Sequence, residues 1–364
     1  MADKKTLAIL MGGKSAEHEV SLRSAANVIK AVNKEKYDLV LVGIDKQGRW
    51  FLISDQSSFL GDQFPESISY SDNNAVVFVP GEKGKIEGLK NKEISIKVDV
   101  VFPILHGTFG EDGTVQGLLK LADIPFVGPG VLGSSVGMDK DAMKRLLRDA
   151  GLEIAKFKLL EKGVSEIPKF EETKQELGDV VFVKPANMGS SVGVSKVRTE
   201  EEFQLAVKDA FRYDNKVLIE ENIAGKEVEC SVLGNEKPEA SMVGEIIPKD
   251  DFYSYNAKYI DENGAVLKIP AEISKEQIAK VQETAIKTFR ALCCEGMGRV
   301  DCFLRENGDV VVNEINTIPG FTSISMYPKL WEESGIKYPD LIDKLIELAF
   351  DRYEKENTLK TDYN

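Results

Sequence analysis

Apolar and polar positions along this chain follow two rhythms. Residues 7–11 form a short apolar run ending in Gly12-Gly13, and Val20, Leu22, Ala25, Val28, Ile29 and Val32 then recur at helical spacing. A second apolar run covers 39–44. Strand, glycine turn, helix, strand is a βαβ unit and predicts a parallel sheet. The stretch 54–97 is polar and shows no clear period. Residues 98–105 read as another buried strand, ending in His106-Gly107 and a glycine-rich loop through Gly113. An open α/β domain is expected over the first third, with its loops at the strand C-termini.

Beyond it, Phe126-Val127 and the glycines to Gly137 lead into a helix, with Asp139 as its N-cap and Gly151 as its stop. A strand over 180–183 breaks at Lys184-Pro185 into the loop 186–193 and resumes at 194–197. A helix over 201–212 and a strand at 217–220 complete a small α+β unit. The last third shows strands at 228–233 and 242–247, a polar, tyrosine-bearing loop over 248–268, and a helix over 275–292. Strands 299–304 and 310–315 then face each other across Asn307-Gly308. No internal repeat or low-complexity segment is evident.

At 364 residues the chain exceeds what one hydrophobic core normally absorbs, so two or three domains are expected. With 42% hydrophobic and 29% charged residues it reads as folded. The net charge of −13 argues against a nucleic-acid partner but leaves room for a phosphate ligand, which needs only local lysines and backbone N–H groups. Cys230, Cys293, Cys294 and Cys302 include no C-x-x-C pair, and there are two histidines, so neither zinc nor a disulfide framework is expected. No signal-peptide pattern and no 18-residue apolar run is present, which predicts a cytoplasmic protein without a membrane partner.

The hairpin is the most informative feature. If Asn307-Gly308 is a two-residue turn, Asp301 lies opposite Glu314 and Arg299 opposite Asn316, and all four side chains share a face. Opposed carboxylates repel unless compensated, and a hard cation with oxygen ligands, Mg²⁺ held together with phosphates, is one compensation. A solvated polar face with Arg299 bridging the acids is the other. The segment 184–193 offers a lysine at a strand end followed by a Gly/Ser loop, which suits a phosphate or a surface hairpin, and it is not a Walker-type loop. Lys140 at a helix start, the acids after 217–219, Glu17 in a first helical turn and His106 in a loop each admit a binding role beside a purely structural one.

These segments together resemble the D-alanine–D-alanine ligase family over nearly the whole chain. The matching stretches are Gly12-Gly13-Lys14-Ser15-Ala16-Glu17 through Ser21, 105–113, Met138-Asp139-Lys140, 184–193, Ala257-Lys258-Tyr259, 298–301, and Asn313-Glu314-Ile315-Asn316 running to Pro319-Gly320-Phe321-Thr322. The resemblance implies a three-domain ATP-grasp architecture of α/β and α+β class. Its parts are an N-terminal open parallel domain at 1–128, a central subdomain at 129–222, and a C-terminal subdomain at 223–364 with the metal site and a lid loop.

The resemblance also implies roles. Lys140 and Lys184 contact ATP phosphates, with Ser191, Lys258 and Asn313 also at the nucleotide. Glu220 and Glu227 hold adenine and ribose, with Ile223 beside the ring. Asp301, Glu314 and Asn316 hold two Mg²⁺ ions, with Mn²⁺ able to substitute. Glu17 binds the ammonium of the first D-alanine, and Ser190 and Tyr259 join it in a triad that latches the 248–268 loop. Arg299 and the Gly320 N–H stabilise an oxyanion. Ser325 and the backbone at Met326 take the second substrate's carboxylate, and His106 is a further carboxylate contact. The chain departs from the family at Glu221, where a lysine often sits beside adenine. The implied reaction is ATP-dependent joining of two D-alanines through an acyl phosphate, by a homodimer. The alternatives are D-alanine–D-lactate or D-alanine–D-serine ligation, or a non-catalytic nucleotide-binding module.

Overall fold

The computed structural model describes residues 4–61, 67–248 and 265–363. The first unit contains β1 (Lys5–Gly12), α1 (His18–Ala31), β2 (Tyr37–Ile44), β3 (Trp50–Leu52), β4 (Val76–Phe78), β5 (Lys85–Gly88), β6 (Ser95–Lys97) and β7 (Val100–Ile104). β1 is parallel to both β2 and β7, giving a sheet of order β3-β2-β1-β7. All six apolar positions expected on the first helix face are buried. The polar stretch without a period holds a separate antiparallel sheet, β4-β5-β6, whose strands of three or four residues are too short for alternation to register.

α2 (Thr114–Leu121) packs Val115 and Leu119 into the core of the first unit, and the middle unit contains α3 (Val131–Met138), α4 (Lys140–Asp149), β8 (Phe157–Glu161), α5 (Phe170–Leu177), β9 (Val181–Pro185), β10 (Ser195–Val197), α6 (Glu200–Ala210) and β11 (Lys216–Glu221). Its sheet is antiparallel in the order β10-β9-β11-β8. Asp139 caps α4, accepting from the Asp141 and Ala142 amides at 3.1 and 3.0 Å, and Gly151 follows with φ +72°. β9 does not break at Lys184; it runs through Pro185, and Lys184 pairs with Leu218. Gly133 and Gly137, before Asp139, form part of α3. They serve close packing: a Cβ on Gly133 would stand 2.6 Å from the Cys293 carbonyl, and one on Gly137 would stand 2.7 Å from Thr317 Cγ2.

The last unit has β12 (Lys226–Gly234), β13 (Glu239–Pro248), β14 (Ala265–Lys268), α7 (Lys275–Ala291), β15 (Gly296–Leu304), β16 (Val310–Asn316), α8 (Met326–Glu333) and α9 (Tyr338–Glu356). Its sheet has the order β14-β13-β12-β15-β16, and α7 packs Val281, Ala285 and Phe289 onto it. The end of the polar segment expected as a loop is a strand, since β14 pairs with β13; residues 249–264 lie outside those described. α9 returns to the first unit. Its Leu341, Ile342, Leu345 and Ile346 share one core with Leu7 and Ile9 of β1 and Ile29 of α1, each such side chain contributing roughly 1.5–3 kcal/mol.

Candidate active site

The acidic face forms on β15 and β16. Arg299 pairs with Asn316 and Asp301 with Glu314, and these four side chains are half-buried while Val300, Cys302 and Ile315 between them are buried. The turn behind this pairing is not the expected two-residue one. Arg305 and Asp309 close a three-residue loop, the Arg305 amide donating to the Asp309 carbonyl at 2.9 Å, with Gly308 at φ +83°. Near the loop the partners are Leu304↔Val310 and Cys302↔Val312, one residue out of step with Asp301↔Glu314. A bulge at Asn313 absorbs the difference. It brings Glu314 back onto the acidic face and leaves the Asn313 Oδ1 3.5 Å from the Lys184 ammonium.

Every charge on this face has a counter-charge. The Arg299 fork grips Asp301 with two bonds of 2.7 Å, and its Nε is also 2.9 Å from Glu229 Oε2 on β12. Asn316 donates to Asp301 at 3.0 Å through Nδ2, so its carbonyl oxygen is the end left for a cation. Lys140, at the start of α4, places its ammonium 3.3 Å from Glu314 and donates to the Met188 carbonyl at 2.8 Å. A cavity of about 20 Å³ lies between Lys140, Met188-Gly189, Glu314 and Asn316. Among the described residues, no group of three or more His, Cys, Asp or Glu could hold a metal. Two carboxylates and an amide carbonyl suit Mg²⁺ that takes its remaining ligands from phosphate and water.

The nucleotide-side residues cluster on the middle sheet and its edge. Lys184 on β9 and Glu220 on β11 form an ion pair of 2.7 Å. Burial raises the Glu220 pKa, but Lys144 and Lys184 outweigh it and hold the carboxyl below its ordinary value. Ile223 and Glu227 follow on the link into β12 and on β12 itself. Glu221 is committed elsewhere, its carboxylate accepting from the Lys156 amide at 2.8 Å. Ser190 and Ser191 both take left-handed backbone, φ +52° and +60°, which costs each about 1–2 kcal/mol and turns the 186–193 loop sharply.

Across that loop, the Ser190 hydroxyl donates to Glu17 Oε1. Glu17 sits at the mouth of α1, buried, with two glycines against its carboxylate. A Cβ on Gly107 would stand 2.7 Å from Oε2, and one on Gly189 would stand 2.9 Å from it. Tyr259 and Lys258 lie outside the described residues. His106 has both ring nitrogens committed to the protein: Nδ1 lies 2.9 Å from the Ile318 carbonyl and Nε2 3.1 Å from Ser24 Oγ, which also accepts from the Phe321 amide. Burial holds the His106 pKa below the ordinary histidine value.

Glu111, which sequence reasoning passed over, clamps the same two loops. It accepts from the Gly107 amide at 2.8 Å and the Ile318 amide at 2.9 Å. Burial, with the Glu17 charge adding to it, pushes its pKa up to about 8. The loop it holds leads to Gly320, whose Cα packs against Ser325: a Cβ there would stand 2.7 Å from the hydroxyl. Ser325 precedes Met326, the first residue of α8, where helix N–H groups are open to an anion. Glu229 and Lys144 were missed as well. Neither stands in a recognisable short pattern, since each is set by pairing across strands or by one helical turn from Lys140.

A lysine from the central sheet and another from a helix start, meeting an acidic strand pair and glycine-rich loops, define an ATP-grasp ligase. The D-ala D-ala ligase N-terminus model matches residues 6–129 and the D-ala D-ala ligase C-terminus model residues 146–347. The D-alanine–D-alanine ligase of Oceanobacillus iheyensis is 54% identical over 361 residues, covering 98% of each chain. Among solved structures, the D-alanine–D-alanine ligase of Coxiella burnetii superposes with a TM-score of 0.85 at 38% identity, covering 98% of this chain and 97% of that one. The Bacillus anthracis D-alanine–D-alanine ligase complexed with ATP gives 0.73 at 29% identity, covering 98% and 100%. The chain belongs to the D-alanine–D-alanine ligase family.

Proposed function

We propose that this enzyme uses ATP to join two D-alanines into D-alanyl-D-alanine for peptidoglycan precursors, working in the cytoplasm as a homodimer. The observation that carries the reading is the meeting of Lys140 and Lys184 with the Asp301–Glu314 face, cationic and acidic groups suited to a metal–polyphosphate ligand. On this reading the chain divides at about 1–128, 129–222 and 223–364, with ATP between the last two parts.

Lys140 and Lys184 bind the phosphates, with Ser191 and Asn313 beside them, and Glu220, Ile223 and Glu227 take the adenosine. Asp301, Glu314 and the Asn316 carbonyl hold two Mg²⁺ ions, or Mn²⁺ in their place. When bound, the metal supplies Lewis-acid neutralisation of phosphate charge. Glu17, oriented by Ser190, pairs with the ammonium of the first D-alanine and turns its carboxylate toward the γ-phosphate. Attack there gives an acyl phosphate and ADP. The second D-alanine, its carboxylate at Ser325 and the Met326 amide, attacks the acyl carbon as a free amine. The oxyanion falls to Arg299 and the Gly320 N–H, and phosphate leaves.

Arg299 is held from two sides, by Asp301 and by Glu229, so it keeps a partner when Asp301 turns to a cation. Among the described residues no helix is long and apolar enough to cross a bilayer. Phosphate release with ATP, Mg²⁺ and D-alanine tests the function. Absence of D-alanine-dependent release would overturn it.

A further inference from the structure

One buried charge has no part in the reaction just described. Lys144 lies one helical turn beyond Lys140 on α4, and its side chain is 0% exposed. Its ammonium stands 3.2 Å from Glu220 Oε2 and 5.8 Å from the centre of the Phe157 ring, with no hydrogen bond aligned to it among the described residues. The same Oε2 takes Lys184 at 2.7 Å, while Glu220 Oε1 is buried and has no hydrogen-bond partner among the described residues. Two ammonium groups therefore share one carboxylate oxygen, and the second oxygen is left over.

Burying an ammonium this deeply is costly unless it compensates a charge that must stay buried. Lys184 retains some exposure, so it is the lysine able to turn to a phosphate. Were Glu220 paired with Lys184 alone, that movement would strand a buried carboxylate. We infer that Lys144 is a positioning residue, the standing counter-ion of Glu220: it keeps the carboxylate ionised and oriented with Oε1 free for the base, and it releases Lys184 to the phosphates. This rests on the nucleotide site proposed above. Burial depresses the Lys144 pKa and the Glu220 charge opposes that shift, as expected for a lysine kept charged by one partner.

An anionic acceptor at Oε1 favours a base with an exocyclic amine and disfavours one with a carbonyl at that place, so adenine should be preferred to hypoxanthine. The test is calorimetric binding of ATP and ITP, without D-alanine, to the full chain and to Lys144→Met and Lys144→Arg, with the melting temperature recorded for each. Met fills the same volume without charge. In Lys144→Met, ATP should bind about tenfold more weakly and ITP should change less, so selectivity falls, and Arg should restore most of it.

An unchanged ATP-to-ITP ratio in Lys144→Met overturns the inference, as does an equal loss of both ligands. Glu220→Gln is the second variant, independent of how Lys144→Met folds. With its oxygen toward the lysines, the amide N–H₂ replaces Oε1 and should shift preference toward ITP. A retained adenine preference there also overturns the inference. Failure of the unaltered chain to bind either nucleotide would sink the nucleotide site itself.

Discussion

Asp301 stands directly across from Glu314 even though the loop joining their strands is one residue longer than a two-residue turn; the bulge at Asn313 makes up the difference. Side chains alternate strictly along a strand, so without that extra residue Glu314 would face the hydrophobic layer occupied by Ile315. The opposition of the two carboxylates is built in, and its electrostatic cost is offset by Lys140 and Arg299.

Neutralising one acid should therefore separate function from stability. Glu314→Gln is expected to leave the fold intact and to change the melting temperature little, since relief of the repulsion from Asp301 is set against loss of the Lys140 pair, while the Mg²⁺ concentration for half-maximal activity rises by more than about tenfold. A magnesium titration of phosphate release reads this directly. Full activity at limiting magnesium would remove Glu314 from the metal face.

The Glu17 pocket is shaped by what is missing around it. Gly107→Ala would set a methyl group 2.7 Å from the Glu17 carboxylate, at a position with φ +73°. We expect KM for D-alanine to rise about tenfold or more, with KM for ATP little changed. Ser190→Ala, which removes the donor to Glu17, should move the same constant in the same direction. Equal changes in both constants would mean that Glu17 does not face the amino acid.

Burial of Glu111 gives stability a pH dependence whose sign follows from the raised pKa of its carboxyl. Its carboxyl titrates near 4.5 in the unfolded chain and at about 8 in the folded one, so the folded state holds the extra proton across that window. Its contribution to stability is present at low pH and is lost as pH rises from about 5 to 8, at up to roughly 1 kcal/mol per unit. Glu111→Gln cannot titrate. The stability difference between the native chain and this variant, followed by urea unfolding across pH 5 to 8, should decline as pH rises, and a flat difference would contradict the assignment.

The contact between α3 and the segment after α7 tolerates no side chain. Gly133→Ala would press a methyl group against the Cys293 backbone, so we expect a loss of about 1–3 kcal/mol in unfolding experiments.

Long amphipathic or fully buried elements were readable from the sequence. α1 and the strands around it announce themselves because each buries a continuous face, as Val20 to Val32 do. α3 was not readable, since Val131–Met138 is rich in glycine and serine and looks like a turn, while its glycines in fact bring it close to Cys293 and Thr317. Asp301 opposite Glu314 was anticipated from a turn that does not exist; the pairing survives because two one-residue departures cancel. Glu111, Glu229 and Lys144 were invisible for a common reason: a lone charged residue reads as solvent-facing until the fold encloses it.

The return of α9 to the first sheet bears on how the chain is made. Leu341, Ile342, Leu345 and Ile346 complete the layer over Leu7 and Ile9, so contacts between residues more than 300 positions apart close the first core. During synthesis the opening βαβ unit must wait, with an apolar side uncovered, until residues 341–346 have emerged. One face of the N-terminal sheet is therefore completed only when α9 docks, while its other face has a core of its own. That docking is a late, long-range event, and nascent chains are most exposed to aggregation and to chaperone capture just before α9 arrives.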